Sequence, residues 1–179
     1  ENWENIASPI LGTPEVSNET GTITVPFTAQ IGGIYADSID VIMLENGKDI
    51  ETISYATESF EGSVKFEPKA SGNYTFRAEL KRFNETGKNS NVTNGLQFVL
   101  PMREPVIINV ENQGSGTVKF SWKEVSEAAS YNVYLDGELK ETVIDPFVRF
   151  SELTIGKEYE FGVEAVRDKD ISDRAIILQ

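Results

Sequence analysis

Leu153-Thr154-Ile155-Gly156-Lys157-Glu158-Tyr159, running on into Glu160-Phe161-Gly162-Val163-Glu164-Ala165, is the stretch on which the fold turns. Its second part alternates, with Tyr159, Phe161, Val163 and Ala165 separated by Glu160, Gly162 and Glu164. A two-residue period puts the four larger apolar groups on one side of a β-strand. Gly156 marks the turn that delivers the chain into that strand. Upstream, Val106, Ile108 and Val110 form one apolar set, Val118, Phe120 and Trp122 a second, and Tyr131, Val133 and Leu135 a third. Asp136-Gly137 closes the third set with a pair suited to the positive φ angles of a two-residue hairpin. Val148 with Phe150 and the run Ala175-Ile176-Ile177-Leu178 complete a chain of short strands of sandwich length.

The first half alternates in the same way. Ile23, Val25, Phe27 and Ala29 share a face, as do Ile39, Val41 and Met43, then Val64 and Phe66, then Tyr74, Phe76, Ala78 and Leu80, then Leu96, Phe98 and Leu100. Asn46-Gly47 is a second hairpin signal, and Gly32-Gly33, Gly62 and Gly72 are expected at further turns. No segment of helical length carries a 3.6-residue apolar period, so the fold class is all-β. Pro101-Met102-Arg103-Glu104-Pro105 interrupts the pattern with two prolines that fix φ and keep their predecessors extended. It divides the chain into two domains and is expected to act as a semi-rigid linker.

Residues 104–179 resemble a fibronectin type III domain. Trp122 stands where that family places its strand-B core tryptophan, and Ala129-Ser130-Tyr131-Asn132-Val133-Tyr134 is similar to its strand C. Leu153, Gly156 and Tyr159 match the corner before its strand F, with Ile155 in place of the usual proline. The resemblance implies that Tyr159 packs its ring inward and aims its hydroxyl at backbone upstream. In the first half, Gly72-Asn73-Tyr74-Thr75-Phe76-Arg77-Ala78 resembles the tyrosine corner of bacterial immunoglobulin-like domains. The expected architecture is two tandem immunoglobulin-like/fibronectin type III β-sandwiches: a tail over 1–8, an immunoglobulin-like domain over 9–100, a linker over 101–105 and a fibronectin type III domain over 106–179. Modules of this kind resemble the spacers of secreted or surface bacterial proteins that act on polysaccharide. That resemblance implies a secreted, periplasmic or cell-surface location and a non-catalytic spacer or interaction role, with a carbohydrate-binding module pair and a protein-adhesion module as the alternatives; the sequence does not fix the partner, for which polysaccharide or a neighbouring catalytic domain of the same chain are the candidates.

Composition limits the chemistry. The 179 residues include no histidine and no cysteine, which removes the commonest general base, the thiolate nucleophile and most metal ligands. No cofactor is expected. The absence of disulfides in a sandwich of this size leans toward a bacterial source. The chain begins Glu1-Asn2-Trp3 without a methionine and is expected to be a mature or excised fragment. Net charge is -13 and both halves share the acidic excess. With no basic stripe to displace counterions, neither nucleic acid nor anionic lipid is an expected partner, and no apolar run is long enough to insert in a membrane.

Four groups of residues bear on binding. Trp3, Tyr35, Tyr55 and Phe60 offer rings on which sugars could stack, against the reading that they pack the domain itself. Tyr134 falls on the opposite parity from Tyr131, Val133 and Leu135 and is expected on the outer face of its sheet, as ordinary decoration or as a contact. Asp168, Asp170 and Asp173 crowd the turn before the last strand, where carboxylates could ligate Ca²⁺, although the spacing lacks the glycine and late glutamate of an EF-hand and a solvated acidic loop is favoured. Asn18, Asn73, Asn84 and Asn91 each begin an Asn-x-Thr triplet, read as compositional.

Overall fold

The computed structural model describes residues 5–56, 58–83 and 85–179. It divides the chain into two compact units, Glu1–Leu100 and Pro101–Gln179, each a two-layered β-sandwich.

In the first unit, β1 (Ile10–Leu11) and β2 (Glu15–Ser17) lie along one side of β3 (Thr22–Thr28), and β6 (Glu61–Phe66) along the other. β1 and β2 are one strand broken at Gly12-Thr13-Pro14. The break faces Pro26, which has no N–H to give a neighbour, and the Gly12 N–H donates to its carbonyl at 2.9 Å. The second layer runs β5 (Lys48–Tyr55), β4 (Ser38–Glu45), β7 (Gly72–Arg82), then a last strand in two pieces, β8 (Glu85–Asn89) and β9 (Leu96–Phe98). The second unit repeats this order. β10 (Ile107–Gly114), β11 (Thr117–Trp122) and β14 (Phe147–Phe150) form one layer, and β13 (Glu138–Val143), β12 (Ser130–Leu135), β15 (Glu160–Arg167) and the split pair β16 (Asp170–Ile171) and β17 (Ala175–Leu178) the other. Three strands facing four, with the extra strand paired to the third of the chain, is the fibronectin type III arrangement of the immunoglobulin-like sandwich.

The alternating sets supply both cores. Ile23, Val25, Phe27, Ile39, Val41, Phe66, Phe76, Ala78, Leu80 and Phe98 are buried in the first. Phe120, Trp122, Tyr131, Val133, Phe161, Val163 and Ala165 are buried in the second, where Trp122 meets Phe120 at 5.2 Å and Tyr131 at 5.3 Å between ring centroids. Within the segment expected as a tail, Ile6 joins the first core. Met102, within the expected linker, packs against the second.

Three expectations are corrected. Val106 and Ile108 are exposed, because the pairing of β10 with β11 is irregular between Ile107 and Asn109. A bulge there adds a residue and reverses the parity, so Ile107 and Val110 turn inward together. Gly62 is a strand residue opposite Phe27, not a turn: a Cβ would lie 2.7 Å from the Phe27 ring. Gly72 likewise opens β7, where a Cβ would approach a Glu45 carboxylate oxygen at 2.5 Å. The hairpin signals hold their positions, with φ of 51° and 75° at Asn46-Gly47 and 50° and 78° at Asp136-Gly137.

One device appears in both units. Where the last strand breaks, Ser90 bonds Ala78 and Ser172 bonds Ala165: each serine N–H donates to the alanine carbonyl at 2.9 Å, and each alanine N–H donates to the serine Oγ, at 2.7 and 2.9 Å. The hydroxyl then donates onward to the next carbonyl, Asn91 or Asp173. The serine side chain thus replaces the backbone acceptor that the break removes. Ser90→Ala and Ser172→Ala should each cost about 1–3 kcal/mol by leaving an inward alanine N–H without a partner, measured by urea denaturation against a Ser59→Ala control at an exposed site.

Candidate functional site

The aromatic candidates separate into two places. Tyr55, at the end of β5, is half-buried and meets Phe27 edge-on at 5.2 Å, above Gly62, so it caps the core. Tyr35 and Phe60 come together at a loop end of the first unit, with ring centroids 5.2 Å apart and planes at 85°. Tyr35 packs against the core while Phe60 is 44% exposed. The segment joining β3 to β4 carries Tyr35. It is held to Phe60 by the Ala29 N–H bond to the Phe60 carbonyl at 2.8 Å, and to β7 by the Asp37 N–H bond to the Lys81 carbonyl at 2.8 Å. Trp3 lies outside the described residues.

Tyr134 stands on the outer face of the second unit's four-stranded layer, inside a polar network. Its hydroxyl donates to Glu164 Oε1 at 2.6 Å, Asn132 Nδ2 donates to the same oxygen at 3.1 Å, and Thr142 Oγ1 donates to Asn132 Oδ1 at 2.8 Å. The Arg174 guanidinium lies over the Tyr134 ring, 3.3 Å from its centroid, with its Nε 3.7 Å from Glu164 Oε2. Glu164 is only 8% exposed, so burial of its charge is offset by these donors. Gly162, opposite Tyr134 in register, makes the crossing possible: a Cβ there would stand 3.0 Å from Arg174 Cδ. The matching face of the first unit is an ion-pair lattice. Arg77 reaches Asp49 at 2.8 Å and Glu79 at 2.5 Å, and Lys81 lies 3.3 Å from Glu79. The Arg77 hydrogen bond holds the Glu79 carboxyl below its ordinary range.

The acidic loop does not converge. Asp168 (φ 52°) and Lys169 form the two-residue turn between β15 and β16, Asp170 pairs with Arg167 at 3.1 Å, and Asp173 follows the Ser172 bridge. No three metal-ligating side chains gather among the described residues. Of the glycosylation-type triplets, Asn91 is engaged structurally: its side-chain amide accepts from the Leu11 N–H at 2.9 Å and donates to the Leu11 carbonyl at 3.2 Å, tying β1 to the far layer.

Cavities open at the surface of each unit among the described residues. One, of about 300 Å³ in the second unit, lies between the Gly114-Ser115-Gly116 hairpin and the Leu153–Tyr159 corner, over Val110, Val118 and Phe161. Another, of about 380 Å³ in the first unit, lies between the Gly12–Pro14 break and residues 91–96. Neither is lined by an acidic side chain.

Both tyrosine corners form, with opposite polarity. Tyr74 donates its hydroxyl proton to the Ala70 carbonyl at 2.6 Å, whereas the Tyr159 oxygen accepts from the Thr154 N–H at 2.9 Å. Sequence reasoning missed Glu164 and Arg174. Only Gly162, a glycine inside a strand, signalled that a long side chain passes over it.

No protein-family model and no curated protein matches the chain. Among solved structures the chain is similar to a segment of two fibronectin type III domains from chicken tenascin, at 16% identity and a TM-score of 0.48, over 94% of this chain and 98% of that one. It is also similar to the mutant FN3tt, at 20% identity and a TM-score of 0.38, over 43% of this chain and 92% of that one.

The two hydroxyls titrate apart. Hydrogen bonding to the Glu164 carboxylate raises the Tyr134 pKa above 10.0, and the bond accepted from Thr154 lowers that of Tyr159. In an alkaline absorbance titration Tyr134→Phe should remove a late phase and Tyr159→Phe an early one. The stabilisation carried by the Tyr134 phenol is complete below the unfolded-state value near 10 and is lost as pH rises through its higher folded value.

Proposed function

We propose that the two sandwiches serve as a non-catalytic spacer and interaction segment of a larger secreted or cell-surface bacterial protein, one that acts on polysaccharide. The observation that carries this reading is the setting of the carboxylates. Glycoside cleavage needs two of them across a cleft, in different environments. Among the described residues the cavity beside the Leu153–Tyr159 corner and that beside the Gly12–Pro14 break are lined by no carboxylate side chain, Glu164 is engaged by Tyr134, Asn132 and Arg174, and Glu79 by Arg77 and Lys81. A sandwich whose Glu164 and Glu79 carboxylates are engaged within its own sheets is suited to setting distance and presenting surface. The resemblance of residues 104–179 to fibronectin type III modules supports a role beside a catalytic domain, and fold alone does not decide it.

The test uses the parent protein. Deleting residues 1–179 should leave turnover of a short soluble oligosaccharide unchanged, while attack on intact polysaccharide or cell-surface retention falls. Turnover by the isolated chain that disappears in Glu164→Gln, or loss of the parent's turnover of the short substrate on deletion, would overturn it.

A further inference from the structure

Glu111, Lys119 and Arg149 form one row across the outer face of the second unit's three-stranded layer, Lys119 standing opposite both of the others in register. Like charges opposite each other on paired strands are destabilising. The row holds two cations for one carboxylate, and among the described residues neither Lys119 nor Arg149 forms an ion pair. Both converge instead on Phe147, which shares their face: Lys119 Nζ is 4.8 Å and the Arg149 guanidinium carbon 5.3 Å from the ring centroid. Arg149 Nε donates to Gln113 Oε1 at 3.3 Å. That bond orients the guanidinium and leaves its terminal nitrogens for a carboxylate, the group its planar fork fits. The corresponding strands of the first unit set Thr24 opposite Lys65 and Pro26 opposite Ser63, so neither the paired cations nor the ring is a requirement of the sandwich.

Phe147 and Arg149 also stand at an open edge. β14 pairs with β11 and with no other described strand. The Trp122 N–H donates to the Pro146 carbonyl at 3.0 Å, so Pro146, Val148 and Phe150 turn their backbone groups toward β11. The alternation of an antiparallel ladder turns those of Phe147 and Arg149 the other way. The two residues that carry the unmatched charge and the ring thus present their N–H and C=O groups at the edge. That edge is four residues long, which suits a short extended segment.

We infer that the free edge of β14 takes up an extended acidic peptide of a partner protein as a further strand, with a carboxylate opposite Arg149 and an aliphatic side chain opposite Phe147. Charge complementarity selects this occupant. A carboxylate at that place completes the row, giving each cation an acidic neighbour, and the aliphatic group two residues along covers the half-buried ring. The backbone groups of the edge distinguish a peptide from an acidic polysaccharide, which has no amide ladder to offer them. A second copy that paired its β14 with this one would set two Lys119-Arg149 pairs side by side, so the same cations turn that pairing away. The net charge of -13 is screened beyond about 8 Å at physiological salt, and within that distance the groups of the row decide. The inference rests on the interaction part of the proposed function and names its partner. Its failure leaves the spacer part, which is tested by deletion in the parent protein.

The experiment titrates the isotope-labelled chain of 179 residues with the capped peptide Thr-Glu-Thr-Val-Thr-Glu-Thr, which reads the same in both directions, and follows amide shifts and hydrogen exchange. The same peptide with Gln for Glu, and polygalacturonate, serve as comparators. Saturable shifts should centre on β14, and exchange of the Phe147 and Arg149 amides should slow about tenfold or more at saturation. Arg149→Gln and Lys119→Gln should each weaken binding about two- to fivefold, and Arg149→Glu should abolish it. The melting temperatures of the two glutamine variants should stay level or rise, because the like-charge pair is relieved. Absence of saturable shifts, equal binding of the Gln peptide or by Arg149→Glu, or binding without protection of the Phe147 and Arg149 amides would overturn the inference. So would preference for polygalacturonate, or sedimentation showing that the edge is taken by a second copy of the chain.

Discussion

The register of β7 and β15 is the constraint on which both units depend. Each strand lies between two partners in its layer and has opposite duties on its two faces. Phe76, Ala78 and Leu80 in one, and Phe161, Val163 and Ala165 in the other, point into the cores. Arg77, Glu79 and Lys81, and Gly162 and Glu164, face outward into the ion-pair lattice and the tyrosine network. A slip of one residue would exchange these sets and bury a carboxylate where a phenylalanine belongs. The neighbours pin the register: the tyrosine corner before each strand, the Asn46-Gly47 and Asp136-Gly137 turns of the adjacent hairpins, and the serine bridges at Ala78 and Ala165.

This explains which parts were legible in the amino-acid sequence. The inward sets of the central strands follow from two-residue alternation, because a half-buried strand has no other way to separate its faces. Asn46-Gly47 and Asp136-Gly137 were equally readable, since few residues accept positive φ. What escaped had no local signature. The irregularity beside Ile108 reverses parity through a backbone insertion that leaves the composition unchanged, and Gly62 read as a turn because its cause, the Phe27 ring 2.7 Å from where a Cβ would stand, lies on another strand. Glu164 and Arg174 are ten residues apart in sequence and meet only because β15 and the entry to β17 are neighbours.

The candidate residues divide accordingly. Tyr55 and Tyr35 pack against the first core, and Tyr134 is covered by Arg174, so a count of aromatic residues overstates the rings open to a ligand. The acidic loop is likewise spread along a hairpin, its carboxylates separated by Lys169 and by the Ser172 bridge. Missing histidine and cysteine narrow the chemistry from the outset. The structure adds where the remaining ionisable groups are engaged.

The split last strands have a consequence for the chain as a whole. β8 and β9, and β16 and β17, form the outer margin of their layers, and an unbroken margin would offer a long row of free N–H and C=O groups to any passing strand. Breaking it with Ser90 and Ser172 shortens that row while keeping the inward alanine amides satisfied. Two similar sandwiches on one polypeptide reach high local concentration during folding, where cross-pairing between domains is a known hazard. An interrupted margin gives such pairing little to grip, so the serine bridge guards against misassembly as well as closing the sheet.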